Sequence, residues 1–533
     1  MARNLYRFYL YVVFIALLIF AAVGLGQLLN TVLAFTPLRG LYANVPTQAE
    51  VVQPVVFVTV SWIAAGLLGG LHYWLIRRDM RHDPTASTSA IRLFFLNITE
   101  ACSVLVGVPV MGMVISSLAF SSDTNVVGAA SGSIAALMLA LVLELERRRT
   151  PVTKGVAMVF QRIHFYGVQI ILLLFLTPNW FTSFRPLVDI LLFGRKGLLE
   201  SCQFGTEGPC PTYNIFGLIC LLLWFAVFWI GYGLMIRKDN ARLLRLILHH
   251  VGFAYGIGFV LAGLYYVFQL VLLPLFGETL AFKDVLGPSP RYDFVSPLTL
   301  GLFISVIYYI WLRAATKQGL IEQAVLYLIE CTVTAVLSAA VFWRGIGYIL
   351  YNALHTVSPI PASPDAQAWI SSIAFIVAGL EYVPLGFYLY RRNALDPVVT
   401  AGPRRGFVLA LLGGGILAFA IGGATALYAW ATAVFGSPIP DWQQVAQIGL
   451  AAFIVGVILV GVYLWIAIRE HLFSGLIRRT TPAAAGVPVA PQVPEQLSTI
   501  EGVLGALLAN KITQDEAATR LHALTNAPVE ARK

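Results

Sequence analysis

The apolar residues of this chain come in long unbroken runs separated by short polar or basic stretches, with no alternation of the kind that marks strands. A helix needs about 20 apolar residues to cross a hydrocarbon layer of about 30 Å. Twelve runs meet that length, at 8–35, 53–76, 93–119, 125–143, 155–177, 213–236, 243–275, 295–315, 321–350, 367–390, 405–435 and 443–468. They predict an all-α polytopic membrane protein with about 12 transmembrane helices. Runs longer than a bilayer is thick predict tilt or kinks. Arg3 and Arg7 lead into the first run, which is too long for the apolar part of a signal peptide and reads as the first span.

The even-numbered runs end alike, in LHYWLIRRDMRHD, LVLELERRRT, WIGYGLMIRKDN, YYIWLRAATK, GFYLYRRNAL and VYLWIAIREH. The unit is a hairpin that returns to an aromatic-plus-arginine anchor, and six copies fill residues 1 to about 470. Aromatic rings and snorkelling arginines at a membrane interface produce such endings without any repeat; the short basic loops between hairpins favour repetition. Basic residues crowd one set of loops, among them Arg77, Arg78, Arg81, Arg147, Arg148, Arg149, Arg237, Lys238, Arg391 and Arg392. The opposite set holds only Arg39, Arg185, Arg195, Lys196, Lys283 and Arg291. The positive-inside rule then predicts both termini on the cytoplasmic side.

Composition agrees with this pattern. The chain is 58% hydrophobic and only 11% charged, against about 25% charged for soluble domains. That excludes a soluble protein and, for most of the length, disorder. Five cysteines exclude a disulfide-dense scaffold. The net charge of +9 is accounted for by loops facing anionic lipid, so no nucleic-acid partner follows from it.

The hairpins, with starts such as RNLYRFYLYVVFIALLIFAAVGLGQLLN, ends such as AAGLLGGLHYWLIRRD and the further copy LLRLILHHVGFAYGIGFVLAGLYYVF, resemble a bacterial family of multi-pass membrane proteins with a repeated domain of unknown function (DUF5671-like). The resemblance implies topology and a bacterial inner membrane; it supplies no catalytic residues.

Ionisable groups inside a membrane are costly and point to function. Counting eight residues from the charged residue that opens an odd run, Arg92 leads to Glu100, Lys154 to Arg162, Arg242 to His250 and Glu322 to Glu330. Eight helical residues span about 12 Å. One reading makes these four a layer around an ion or substrate path; the other makes Arg162 the partner of the glutamates, pinning hairpins together. Glu381 lies ten residues before Arg391, about 15 Å inward, and Pro384 nearby predicts a kink beside it. His72, His164, His249 and His250 fall on the runs, but no repeated pair suits haem, and no HExxH or Cys/His metal motif occurs. No cofactor is expected.

In the loop 178–212, Cys202 and Cys210 are spaced for a disulfide, and 184–200 reads as a surface amphipathic helix. The membrane domain, 1–479, precedes a Pro/Ala-rich linker, 480–497, and a short helical hairpin, 498–527, with Thr513 and Glu516 as a capping box. Its KITQDEAATRL string loosely resembles the short C-terminal helical modules (SHOCT-like) of many bacterial proteins, which implies self-association or a protein partner. The loop 178–212 is a second candidate contact. Without a soluble catalytic domain or a nucleotide-binding motif, three roles stay open: a scaffold or accessory subunit, a secondary transporter using the intramembrane Glu, Arg and His residues, and a membrane-embedded enzyme or redox protein.

Overall fold

A computed structural model describes residues 2–40, 45–120, 124–149, 155–202, 214–239, 241–277, 293–357, 365–435, 438–472, 517–519 and 522. Among them the only regular elements are helices, and twelve stretches are long and apolar enough to cross a membrane. Two compact units result, Met1–Glu470 and His471–Lys533. In the second, Ala517–Thr519 are helical and Ala517 is buried; the linker, most of the hairpin and the capping box lie outside the described residues.

The first span is α1 (Ala2–Leu33) and the second is α2 (Gln48–Ala64) continued through one π-helical turn (Ala65–Gly69) into α3 (Gly70–His82). Spans three to nine are α4 (Ala90–Ala119), α5 (Val127–Arg148), α6 (Val156–Cys202), α7 (Ile215–Ile236), α8 (Arg242–Leu272), α9 (Val295–Lys317) and α10 (Gln323–Val357). The tenth is split into α11 (Ala366–Gly379) and α12 (Tyr382–Leu395), and α13 (Pro397–Val434) and α14 (Trp442–Arg469) complete the set. Helix starts follow capping chemistry. Thr47 and Glu50 form a capping box for α2, and Ser89 and Asp365 cap α4 and α11.

Two sequence expectations change in detail. The segment from Pro178 to Leu192 is no loop: α6 runs on through Pro178 and Pro186 for 47 residues, in place of the separate surface helix expected over 184–200. Each internal proline removes only about one backbone hydrogen bond, and the helix continues through both. At Pro384 in the tenth span the outcome is opposite. This proline has no N–H for the Leu380 carbonyl, which instead accepts from Val383 at 3.1 Å, and the helix breaks at Leu380–Glu381.

Each odd span packs on the even span that follows, giving six hairpins, and each hairpin packs on its sequence neighbours. Helix α1 rests on α4 and α5, α4 on α6 and α7, α6 on α9, α8 on α10 and α11, and α10 on α13 and α14. Among the described residues no extensive contact joins hairpins that are two or more apart. Small residues let these pairs approach, as expected where packing rather than water exclusion drives association. In the α13–α14 pair, a Cβ added to Gly422 would lie 2.5 Å from the Phe453 amide nitrogen, and one added to Gly449 2.6 Å from that of Ala426. The largest buried cluster lies in the middle of the row, where Trp229, Phe225, Tyr308 and Trp311 meet Leu172 and Leu300.

Candidate functional site

Burying an unpaired charge in a membrane is costly, so the first question for each charge is what neutralises it. At the end of the spans that carries the N-terminus, the answer recurs. Arg7, near the start of α1, donates to Asp79 and Asp83 at the end of α3, both at 2.7 Å. Arg92 of α4 meets Glu146 of α5 at 2.8 Å. Arg162 of α6 binds Asp239, just past α7, at 3.1 Å, and the Tyr166 hydroxyl donates to the same carboxylate. Arg245 of α8 donates to the Gln318 side chain after α9 at 3.0 Å, and Arg404 of α13 to Glu470 after α14 at 2.9 Å. Thus an arginine early in the odd span clamps an acid or amide at the end of the even span. Five of the six hairpins show it. Glu146 also binds Arg77 of α3, and Arg92 also donates to Tyr11 of α1, so this clamp ties the first two hairpins together.

Glu100 is buried in α4. Its carboxylate lies 3.3 Å from Arg147 Nε and 3.9 Å from His164 Nδ1. Arg147 also binds Glu144 and stacks 4.7 Å over the Phe165 ring. His164 is fully buried between Asn97 and Tyr232, at 3.2 and 3.0 Å. The Asn97 amide nitrogen donates to the Leu93 carbonyl, leaving its oxygen to accept. His164 therefore donates from Nδ1 to Asn97 and accepts at Nε2 from the Tyr232 hydroxyl. This network of Asn97, Glu100, Arg147, His164 and Tyr232 joins four helices of the second and third hairpins. Of its members, sequence reasoning picked only Glu100 as a site residue. The available signal for the rest was a polar residue in each of several neighbouring apolar runs.

The other expected residues sit apart. Arg162, near the start of α6, is held by Asp239, just past α7, rather than by a glutamate. His250 Nδ1 donates to the Leu246 carbonyl of its own helix at 2.7 Å and Nε2 meets no partner among the described residues. Beside it, His249 is buried against Tyr308 and Trp311, with ring centroids 6.0 and 5.6 Å away. Glu330 is 7% exposed, and its carboxylate finds neither cation nor hydrogen-bond donor among the described residues. Glu381 is exposed at the break in the tenth span and accepts from Ser338 of α10 at 2.7 Å. Among the described residues no hydrogen bond or ion pair joins any two of Glu100, Arg162, His250, Glu330 and Glu381. Cys210 and the Cys202 side chain, expected to form a disulfide, lie outside the described residues.

The fifth hairpin, α10 with α11 and α12, differs from the rest. It has no arginine clamp among the described residues, and it contains Glu330, Glu381 and the helix break. Asn393, at the end of α12 where other hairpins carry the clamped group, has its side-chain oxygen buried without a partner among the described residues. Compared with family models, with curated proteins and with solved structures, the chain matches none.

Proposed function

We propose that this integral membrane protein is a scaffold or accessory subunit of a membrane assembly. In this reading it lies in a bacterial cytoplasmic membrane with both termini inside, and its six hairpins are copies of one unit, akin to the repeated-domain family named above. The recurring arginine clamp is the observation that carries it. Arg162, one of the charges a transport path would expose, is spent closing a hairpin, and among the described residues the hairpins stack mainly on their sequence neighbours. Such quasi-one-dimensional stacking creates extended lateral surface rather than a central cavity. The test is crosslinking in native membranes followed by native mass spectrometry of the purified protein. A stoichiometric complex with a second protein or a second copy is expected. An isolated chain that passes an ion in vesicles overturns the reading.

One set of observations favours a second reading, ion or solute transport. The fifth hairpin lacks the clamp, and transporters place binding sites at broken helices inside the membrane. In that case Glu330→Gln and Glu381→Gln abolish flux through reconstituted protein while expression is retained. Flux that survives both changes removes this reading.

A further inference from the structure

A groove of about 550 Å³ lies between α1, α4 and α5, at the junction of the first two hairpins. Its α1 wall runs from Ile19 to Asn30, about 16 Å of helix. On α4 it reaches down to Thr99 and on α5 from Gly128 to Leu139. It therefore extends from the end of the spans opposite the N-terminus to roughly mid-depth. Val23 and Val106 of its wall are 47% and 55% exposed, and Cys102 is exposed too, so it opens sideways from the protein. No charged residue lines it.

The lining is uncharged and mostly aliphatic or small. In the deep part, the Ser103 hydroxyl donates to the Thr99 carbonyl of its own helix. Nearer the rim, where α5 begins, the Ser131 hydroxyl likewise donates to the Gly128 carbonyl. These two donors are spent on their own helices, and apart from the Thr99 hydroxyl and the Cys102 thiol the rest of the wall below the rim is aliphatic or small. At the rim, the side-chain amides of Gln27 and Asn30 have no hydrogen-bond partner among the described residues. An apolar slot below and two unspent amides at the depth of the interface match an amphiphile: hydrocarbon below, ester or headgroup oxygens above. The groove is elongated, about 550 Å³ over about 16 Å of helix, a shape that suits an extended hydrocarbon chain.

We propose that this groove is a specific site for an acyl lipid of the leaflet opposite the N-terminus. One hydrocarbon chain lies along Gly132, Ala135 and Val106, and its ester oxygens accept from Gln27 and Asn30. The lipid fills the seam between the first and second hairpins, where direct helix contact is incomplete.

The test uses full-length protein in vesicles containing a phosphatidylethanolamine with a diazirine midway along one acyl chain, followed by illumination and peptide mapping. Adducts are expected to concentrate on the 99–106 and 128–139 segments, at least fivefold above equally exposed lipid-facing residues such as Leu223 and Val227 of α7. A Cβ at Gly132 meets nothing within 4 Å, so Gly132→Leu leaves the backbone approach free and directs a side chain into the slot. It is expected to remove most of that excess while labelling of α7 stays unchanged. Labelling in simple proportion to exposure overturns the proposal, as does an excess that survives Gly132→Leu in folded protein. If that variant does not fold, the wild-type map decides alone. A polypeptide crosslinked at Cys102 in native membranes, in place of lipid, also overturns it.

Discussion

Arg92 is 2% exposed and holds Glu146, Tyr11 and the seam between two hairpins, so its removal tests whether the clamps stabilise the fold. Breaking a buried ion pair costs about 3–5 kcal/mol. Because Arg77 still meets Glu146, Arg92→Ala is expected to cost about 3 kcal/mol, read as a lower thermal midpoint in nanodiscs. Arg149, also near Glu146 but largely exposed, is the control: Arg149→Ala is expected to change stability by under about 1 kcal/mol. Tyr232→Phe tests the other buried network. It strips the donor from His164 Nε2 and leaves a buried acceptor unsatisfied, a loss of about 1–3 kcal/mol. An unchanged midpoint there places the hydrogen bond outside the stabilising set. Glu100 stood out in the sequence because a carboxylate in an apolar run is conspicuous. Asn97 and Tyr232 did not, and His164 was noted only among the histidines weighed for haem, because each alone is ordinary and only their convergence with Glu100 and Arg147 across four helices gives them a role.

Single elements show how far local pattern carries. Twelve apolar runs predicted twelve spans, since a bilayer sets helix length by thickness alone. Pro384 predicted a kink beside Glu381 and the helix breaks there, whereas Pro178 and Pro186 are absorbed within α6. The sequence alone does not separate the two outcomes, because neighbouring helices decide whether a freed carbonyl is satisfied. At the break in the tenth span the freed Leu380 carbonyl accepts from Val383, while Ser338 of α10 holds the Glu381 carboxylate. Pro384→Ala is expected to join α11 and α12 into one helix, seen as slower amide exchange around Leu380. Exchange as fast as in the parent chain assigns the break to packing instead. In the sixth hairpin, Gly422→Leu is expected to abolish accumulation of folded protein, because its side chain would enter the backbone of α14. Gly414→Leu, with open space around its Cβ, is expected to be tolerated. Equal effects of the two changes refute close packing as the reason for the glycines.

For the membrane unit as a whole, sequential stacking makes a direct prediction. Cysteine pairs at facing positions of α1 and α5 are expected to form a disulfide in membranes, and pairs between α1 and α14 are not. The reverse result means that the row closes on itself. The apolar runs, their number and the crowding of arginines at one set of ends were all legible in the sequence, because the bilayer imposes them on each segment separately. Which arginine meets which acid was not. Register counting placed Arg162 among the glutamates, yet the packing of α6 on α7 brings it to Asp239. The same counting grouped Glu100, His250 and Glu330 by depth, while the fold distributes them along successive hairpins. Depth follows from position along one helix, which the chain itself carries. Lateral neighbours follow from side-chain volumes and small-residue contacts between helices far apart in sequence, and only the packed structure decides them.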